Sequence, residues 1–175
     1  LLWFLGAPKK VSATAGLVAH AGIEVEDIAT GWIEFANGCR ATLASSTACW
    51  SATGFPAEIR IHGTTGAAVL RDDKLTAFEF EKPLPADAAF LAPATEGGGA
   101  GANDPKAIGH AWHRANLEEA VAAIRAGKQP AVNGAEGRKA VELILALYQS
   151  AQAGGTPVEL PLMHDPALRK LGEKK

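Results

Sequence analysis

The sequence predicts an α+β fold, an open and mostly antiparallel sheet with helices packed on one face. Three observations carry this. Extended runs broken by turn residues fill the first half of the chain, and helical patterns fill the second. Strands grouped ahead of helices is the order of α+β domains. Asn37-Gly38 stands between two extended runs, a strong short-range sign of an antiparallel hairpin.

Taken in order, Leu1–Leu5 reads as the last turns of a helix, stopped by Gly6 and followed by Pro8. Lys10–Leu17 is extended. Thr30–Ala36 and Cys39–Ser46 form the hairpin arms. A two-residue loop at Asn37-Gly38 would oppose Ala36 to Cys39 and Trp32 to Leu43. Ile33, Phe35, Thr42 and Ala44 would then share the other face. Both faces would be largely apolar, and both would need cover. Ala57–His62, Ala67–Arg71 and Leu75–Phe80 alternate as a meander of short strands with turns at 63–66 and 72–73. Residues 82–103, rich in Pro, Ala and Gly, read as a long flexible loop, of the kind that serves as a lid or stays disordered.

Two helices close the pattern. The first takes Asp104 as N-cap and Pro105 at its first turn. Ile108, Trp112, Leu117, Val121 and Ile124 make its apolar face, and Gly127 stops it. The second starts at the N-cap Asn133, with Glu136 three residues on. Val141, Ile144, Leu145 and Tyr148 line its expected buried side. Gly154 or Gly155 ends it, and Pro157–Leu162 follows as an edge strand.

The 175 residues fit one domain, long enough to bury a core without staples. A net charge of −2 argues against an electrostatic nucleic-acid binder. Cys39 and Cys49 form no C-x-x-C pair, and a reduced, cytoplasmic setting is expected. The chain shows no signal-peptide pattern, and no apolar run is long enough to span a membrane.

Chemistry-bearing patterns are few. Gly97, Gly99 and Ala102 match G-x-G-x-x-A, but a dinucleotide fingerprint must follow a strand and open a helix. This one follows Ala-Pro-Ala-Thr-Glu and precedes Asn-Asp-Pro. His110 and His113, three apart on a helix, share a face that a substrate oxygen can use. No Cys or carboxylate pair completes a metal site beside them. Trp50 and Phe55 sit in a hydroxyl-rich link, where rings can stack on a sugar or nicotinamide face or cap the core edge. His20, His62 and His164 carry no pattern. Ser45, Ser46 and Thr47 have no nucleophile elbow. Glu24, Glu26 and Asp27 read as a solvated strand entry. The residues name no catalytic, cofactor-binding or metal-binding side chain.

Four stretches together carry a resemblance: LLWFLGAPKKV (1–11), EVEDIATGWIEFANGCRATLASS (24–46), EIRIHGTTGAAVL (58–70) and the two-helix closing segment at 109–162. In that order they resemble the C-terminal domain of the glucose–fructose oxidoreductase / inositol dehydrogenase (Gfo/Idh/MocA) family. The resemblance implies a two-domain parent whose N-terminal Rossmann domain holds NAD or NADP and carries a Glu-Lys-Pro motif and a catalytic histidine. None of those is expected in these residues. Glu81-Lys82-Pro83 spells the tripeptide, but it follows the meander and not a Rossmann strand. The chain is therefore expected to be a single C-terminal domain over 1–175, inactive and without cofactor by itself. It would wall a small-molecule substrate pocket with Trp50, Phe55, His110 and His113. It would also form a homo-oligomer, dimer or tetramer, through the sheet face, and bind neither nucleic acid nor membrane. The alternative is a stand-alone binding or dimerisation module derived from that family.

Overall fold

A computed structural model describes residues 1–52, 54–72, 74–91 and 109–170. The α+β class holds, but the strands form two sheets. The chain divides into two compact units, Leu1–Cys49 with Val132–Lys175, and Trp50–Ala131.

The first unit opens with α1 (Leu2–Leu5), closed by Gly6 at φ 81°. Strands β1 (Pro8–Gly16), β2 (Ile28–Phe35) and β3 (Arg40–Ser46) follow. Helix α3 (Gly134–Gln152) and the short β7 (Val158–Glu159) complete it. The sheet order is β3-β2-β1-β7, antiparallel throughout.

The hairpin register differs from the expected one by a residue. Trp32 pairs with Thr42, and Gly31 with Leu43. The loop is three residues long, not two. The Phe35 N–H donates to Cys39 O at 2.9 Å, and the Gly38 N–H donates to Phe35 O at 3.0 Å. Gly38 alone of the pair has positive φ, 87°, as in a type I turn followed by a left-handed bulge residue. The shift puts Ala41 and Leu43 on the core face with Ile33 and Phe35. The opposite face carries Thr14, Thr30, Trp32, Glu34, Arg40 and Thr42, so it is mostly polar around one tryptophan and not apolar as expected.

Val11, Ile33, Phe35, Leu143 and Ala146 form the core. They bring the middle of the sheet against α3, whose rotation also differs from the reading of the sequence. Leu143, Ala146 and Ser150 are buried, while Val141 and Ile144 are exposed. Residues 140–148 read AVELILALY, apolar on nearly every side, so periodicity alone cannot fix which face turns inward. The helix ends are as expected. Asn133 Oδ1 accepts the Ala135 and Glu136 N–H groups at 3.0 and 3.1 Å. At the other end the Gly154 N–H donates to Ala151 O and the Gly155 N–H to Ser150 O, which is a Schellman closure.

That closure seals a sheet edge. Strand β7 pairs with β1 only at Lys10 and Val11. Beyond it, the Ala13 N–H donates to Ser150 Oγ at 3.0 Å, and Ser12 Oγ donates to Gly155 O at 2.7 Å. Ser150 Oγ donates in turn to Thr156 O at 2.8 Å.

Asp27 is not a solvated strand entry. It is 2% exposed, and its carboxylate accepts the Val18, Ala19 and His20 backbone N–H groups, each at 2.8 Å. The His20 ring lies 3.2 Å away. The His20 backbone N–H, then those of Ala19 and Val18 with the His20 ring, hold its carboxyl well below the usual carboxylate range against the opposing effect of burial.

The second unit holds β4 (Glu58–His62), β5 (Gly66–Arg71) and β6 (Lys74–Phe80), an antiparallel meander. Asp72, at φ 44°, turns β5 into β6, and its Oδ1 accepts the Ala57 N–H at 2.9 Å. Glu58 draws Arg60 and Arg71, and hydrogen bonds from these, Arg60 first, lower its pKa. Within the expected loop, Pro85–Leu91 forms a 3₁₀ helix, and the Phe90 ring stands 5.3 Å from that of Phe78. Residues 92–103 of that loop, with Gly97, Gly99 and Ala102, lie outside the described residues. So do Asp104, Pro105 and Ile108.

Helix α2 spans Ala111–Arg125, with His110 at its N-cap, and so begins later than expected. Gly127, at φ 65°, stops it. Its apolar stripe is not buried: Trp112, Leu117, Val121 and Ile124 are 45–69% exposed.

Candidate functional site

The start of α2 gathers the polar side chains best suited to meet a small molecule. The Arg114 N–H donates to His110 O at 2.9 Å, which closes the first turn and places His113 one turn along the same side as His110. Both imidazoles line an open groove of about 690 Å³ that runs down the helix past Arg114, Leu117, Val121 and Arg125. Arg114 Nε donates to Glu118 at 3.0 Å. The groove thus combines an apolar floor with hydrogen-bonding imidazoles at one end and a guanidinium at each end.

The other two expected pocket residues lie elsewhere in the second unit. Trp50 and Phe55 sit in the link ahead of β4, 85% and 64% exposed, and neither lines the groove. The structure therefore brings His110 and His113 together and leaves the two aromatic rings apart from them. Among the described residues no group of three or more His, Cys, Asp or Glu is placed to hold a metal ion. Every strand pair is antiparallel. The strand-to-helix turn on which a parallel Rossmann sheet receives a pyrophosphate is therefore not found among the described residues. No helix among them is long and apolar enough to cross a membrane.

Residues 1–69 match the family model of the GFO/IDH/MocA C-terminal domain. That stretch belongs to this family. It runs from α1 through the first sheet's hairpin and into β5. Solved structures share the fold over more of the chain. The WlbA dehydrogenase from Bordetella pertussis, solved in complex with NADH and UDP-GlcNAcA, has a TM-score of 0.74 at 21% identity. The match covers 93% of this chain and 42% of that one. The WlbA dehydrogenase from Chromobacterium violaceum, with the same two ligands, has a TM-score of 0.69 at 24% identity, covering 94% and 43%. An oxidoreductase from Agrobacterium radiobacter, in complex with NAD+, L-tartaric acid and magnesium, has a TM-score of 0.63 at 23% identity, covering 90% and 45%. This chain thus spans less than half the length of each. No curated protein matches the sequence.

The basic partners in the α2 groove, Arg114 and Arg125, were not among the candidates read from the sequence. Arg114 stands beside His113 and Arg125 three turns further on, a helical spacing that would have flagged them once His110 and His113 were chosen.

Proposed function

We propose that this chain is the substrate-side and oligomerisation domain of a cytoplasmic NAD(P)-dependent oxidoreductase that acts on a sugar, polyol or related hydroxy compound. The observation that carries this is the family match over residues 1–69, joined to a fold shared with dehydrogenases solved with bound NADH. In this reading the nicotinamide cofactor accepts or donates the hydride in a part of the parent outside these residues. This chain's residues bind and orient the substrate. His110 and His113 hydrogen-bond its hydroxyls from the groove on α2. Trp50 and Phe55 offer exposed rings to a sugar face. Assembly into a dimer or tetramer uses the outer sheet face, where Trp32, 37% exposed, is the apolar anchor within a polar surround.

The test uses the longest natural reading frame containing this chain, assayed for NAD(P)-dependent oxidation of a panel of sugars and polyols. Loss of one substrate hydrogen bond in His113→Ala should raise KM roughly five- to tenfold, since a net hydrogen bond contributes about 1 kcal/mol. Unchanged kcat and KM in both His110→Ala and His113→Ala would remove the substrate-side assignment. Light scattering on Trp32→Asp should show a smaller assembly than the parent. The alternative is a stand-alone binding or dimerisation module. It is favoured if that reading frame neither binds nor turns over a nicotinamide cofactor.

A further inference from the structure

The first unit contains a cavity of about 190 Å³ that shares no lining residue with the α2 groove. Ala15, Val25, Ala151 and Leu168 supply apolar walls, and Glu26 and Tyr148 supply a polar end. The outer wall is strapped down. The Gln152 side chain donates to Arg169 O at 2.7 Å and accepts the Arg169 N–H at 3.0 Å. Lys170 Nζ lies 2.6 Å from Glu24.

The polar end is incomplete. Burial first, then the neighbouring Glu26 carboxylate, push the Tyr148 hydroxyl up to about 12. Tyr148 therefore keeps its proton at neutral pH. The Glu26 oxygen Oε2 is buried and has no hydrogen-bond partner among the described residues. A buried carboxylate oxygen without a donor is costly, and native structures supply one. The charged side chains around the cavity are Glu24, Glu26, Arg169 and Lys170. Lys170 is engaged by Glu24, and neither cation makes an ion pair with Glu26 among the described residues. Water would satisfy Oε2 but would leave four apolar walls wet. A positively charged donor compensates a desolvated carboxylate better than a neutral one does.

We propose that this cavity binds a small organic ammonium ion, its N–H donating to Glu26 Oε2 and its short hydrocarbon part resting on Ala15, Val25, Ala151 and Leu168. The site asks for a compact primary or secondary amine.

The experiment titrates the full 175-residue chain with n-propylammonium chloride at constant ionic strength, followed by amide and methyl NMR shifts. 1-Propanol and sodium propionate serve as neutral and anionic probes of the same size. Propylammonium should give saturable shifts at Ala15, Val25 and Ala151, with a dissociation constant in the millimolar range expected of so small a ligand. Propanol should bind at least roughly tenfold more weakly, as a neutral donor does, and propionate should not saturate. Glu26→Gln should abolish saturation. If that variant does not fold, Ala151→Leu fills the apolar end without touching the carboxylate and should abolish it too. Linear shifts with every probe, equal binding of propanol and propylammonium, or saturable binding that survives Glu26→Gln or Ala151→Leu would each overturn the proposal. The first of these would mean that only water occupies the cavity.

Discussion

Ser150 should be among the most sensitive polar positions in the first unit. It is fully buried. Its hydroxyl accepts the Ala13 N–H at 3.0 Å and donates to Thr156 O at 2.8 Å. One oxygen therefore ties the last turn of α3 both to the middle of β1 and to the chain leaving the helix. Ser150→Ala keeps the backbone and most of the volume but strands the buried Ala13 amide and takes a donor from the partly buried Thr156 carbonyl. A buried group left unsatisfied costs about 1–3 kcal/mol, so the substitution should cost about 1–3 kcal/mol. Against a domain stability of about 5–15 kcal/mol, that is a large share. With a urea slope of about 1–3 kcal/mol per M, the unfolding midpoint should drop by about 1 M at constant slope. Amide exchange at Ala13 should accelerate selectively. Thr14→Ala is the control. It removes a 2.9 Å contact to the Thr30 hydroxyl on the exposed face and should stay within about 0.5 kcal/mol of the parent. If Ser150→Ala proves no worse than Thr14→Ala, with Ala13 exchange unchanged, then the hydroxyl does not close the sheet edge.

Other positions give sharper pH or backbone signatures. Asp27 has a folded pKa below the ordinary 3.8. Its stabilisation is complete above that value and is lost as pH falls below it. Urea midpoints measured from pH 7 to 2 should show an acid limb that flattens in Asp27→Asn, which should also be the less stable protein at neutral pH. Tyr148 runs the other way, with a pKa raised from 10.0 to about 12. Its contribution is complete below pH 10 and disappears as pH climbs through that interval, so Tyr148→Phe should remove this alkaline decline. Gly38→Ala forces a side chain into φ 87° and should cost about 1–2 kcal/mol, measured by chemical denaturation.

The features that local chemistry decides could be read from the sequence. The Asn133 cap, the glycine closure at Gly154-Gly155 and the extended segment after Pro157 each depend on a few neighbouring residues, and each formed where expected. The hairpin was visible, but its register depended on whether Asn37 adopts positive φ, a choice no pattern in the flanking strands settles. The facing of α3 was hidden because Leu143 and Ile144 are equally apolar, and only the sheet beneath decides between them. Asp27 looked like one acid of several. Its role depends on Val18, Ala19 and His20 folding back over it. At the candidate site, the pairing of His110 with His113 followed from helical spacing. Where Trp50 and Phe55 stand relative to them depends on a loop path that has no periodicity to follow.

The first unit is assembled from two stretches with the whole of the second unit between them. On the ribosome, β1, β2 and β3 emerge long before the helix that covers them. Val11, Ile33 and Phe35, which end up 0–1% exposed, must wait uncovered while more than eighty further residues are made, and at synthesis rates of about 5–20 residues per second that is a delay of several seconds. Throughout it, the β1 edge that β7, Ser150 and Gly155 later close stays open to any passing strand. A nascent chain of this design is most vulnerable between the making of β3 and the making of α3, and α3 is what ends the exposure.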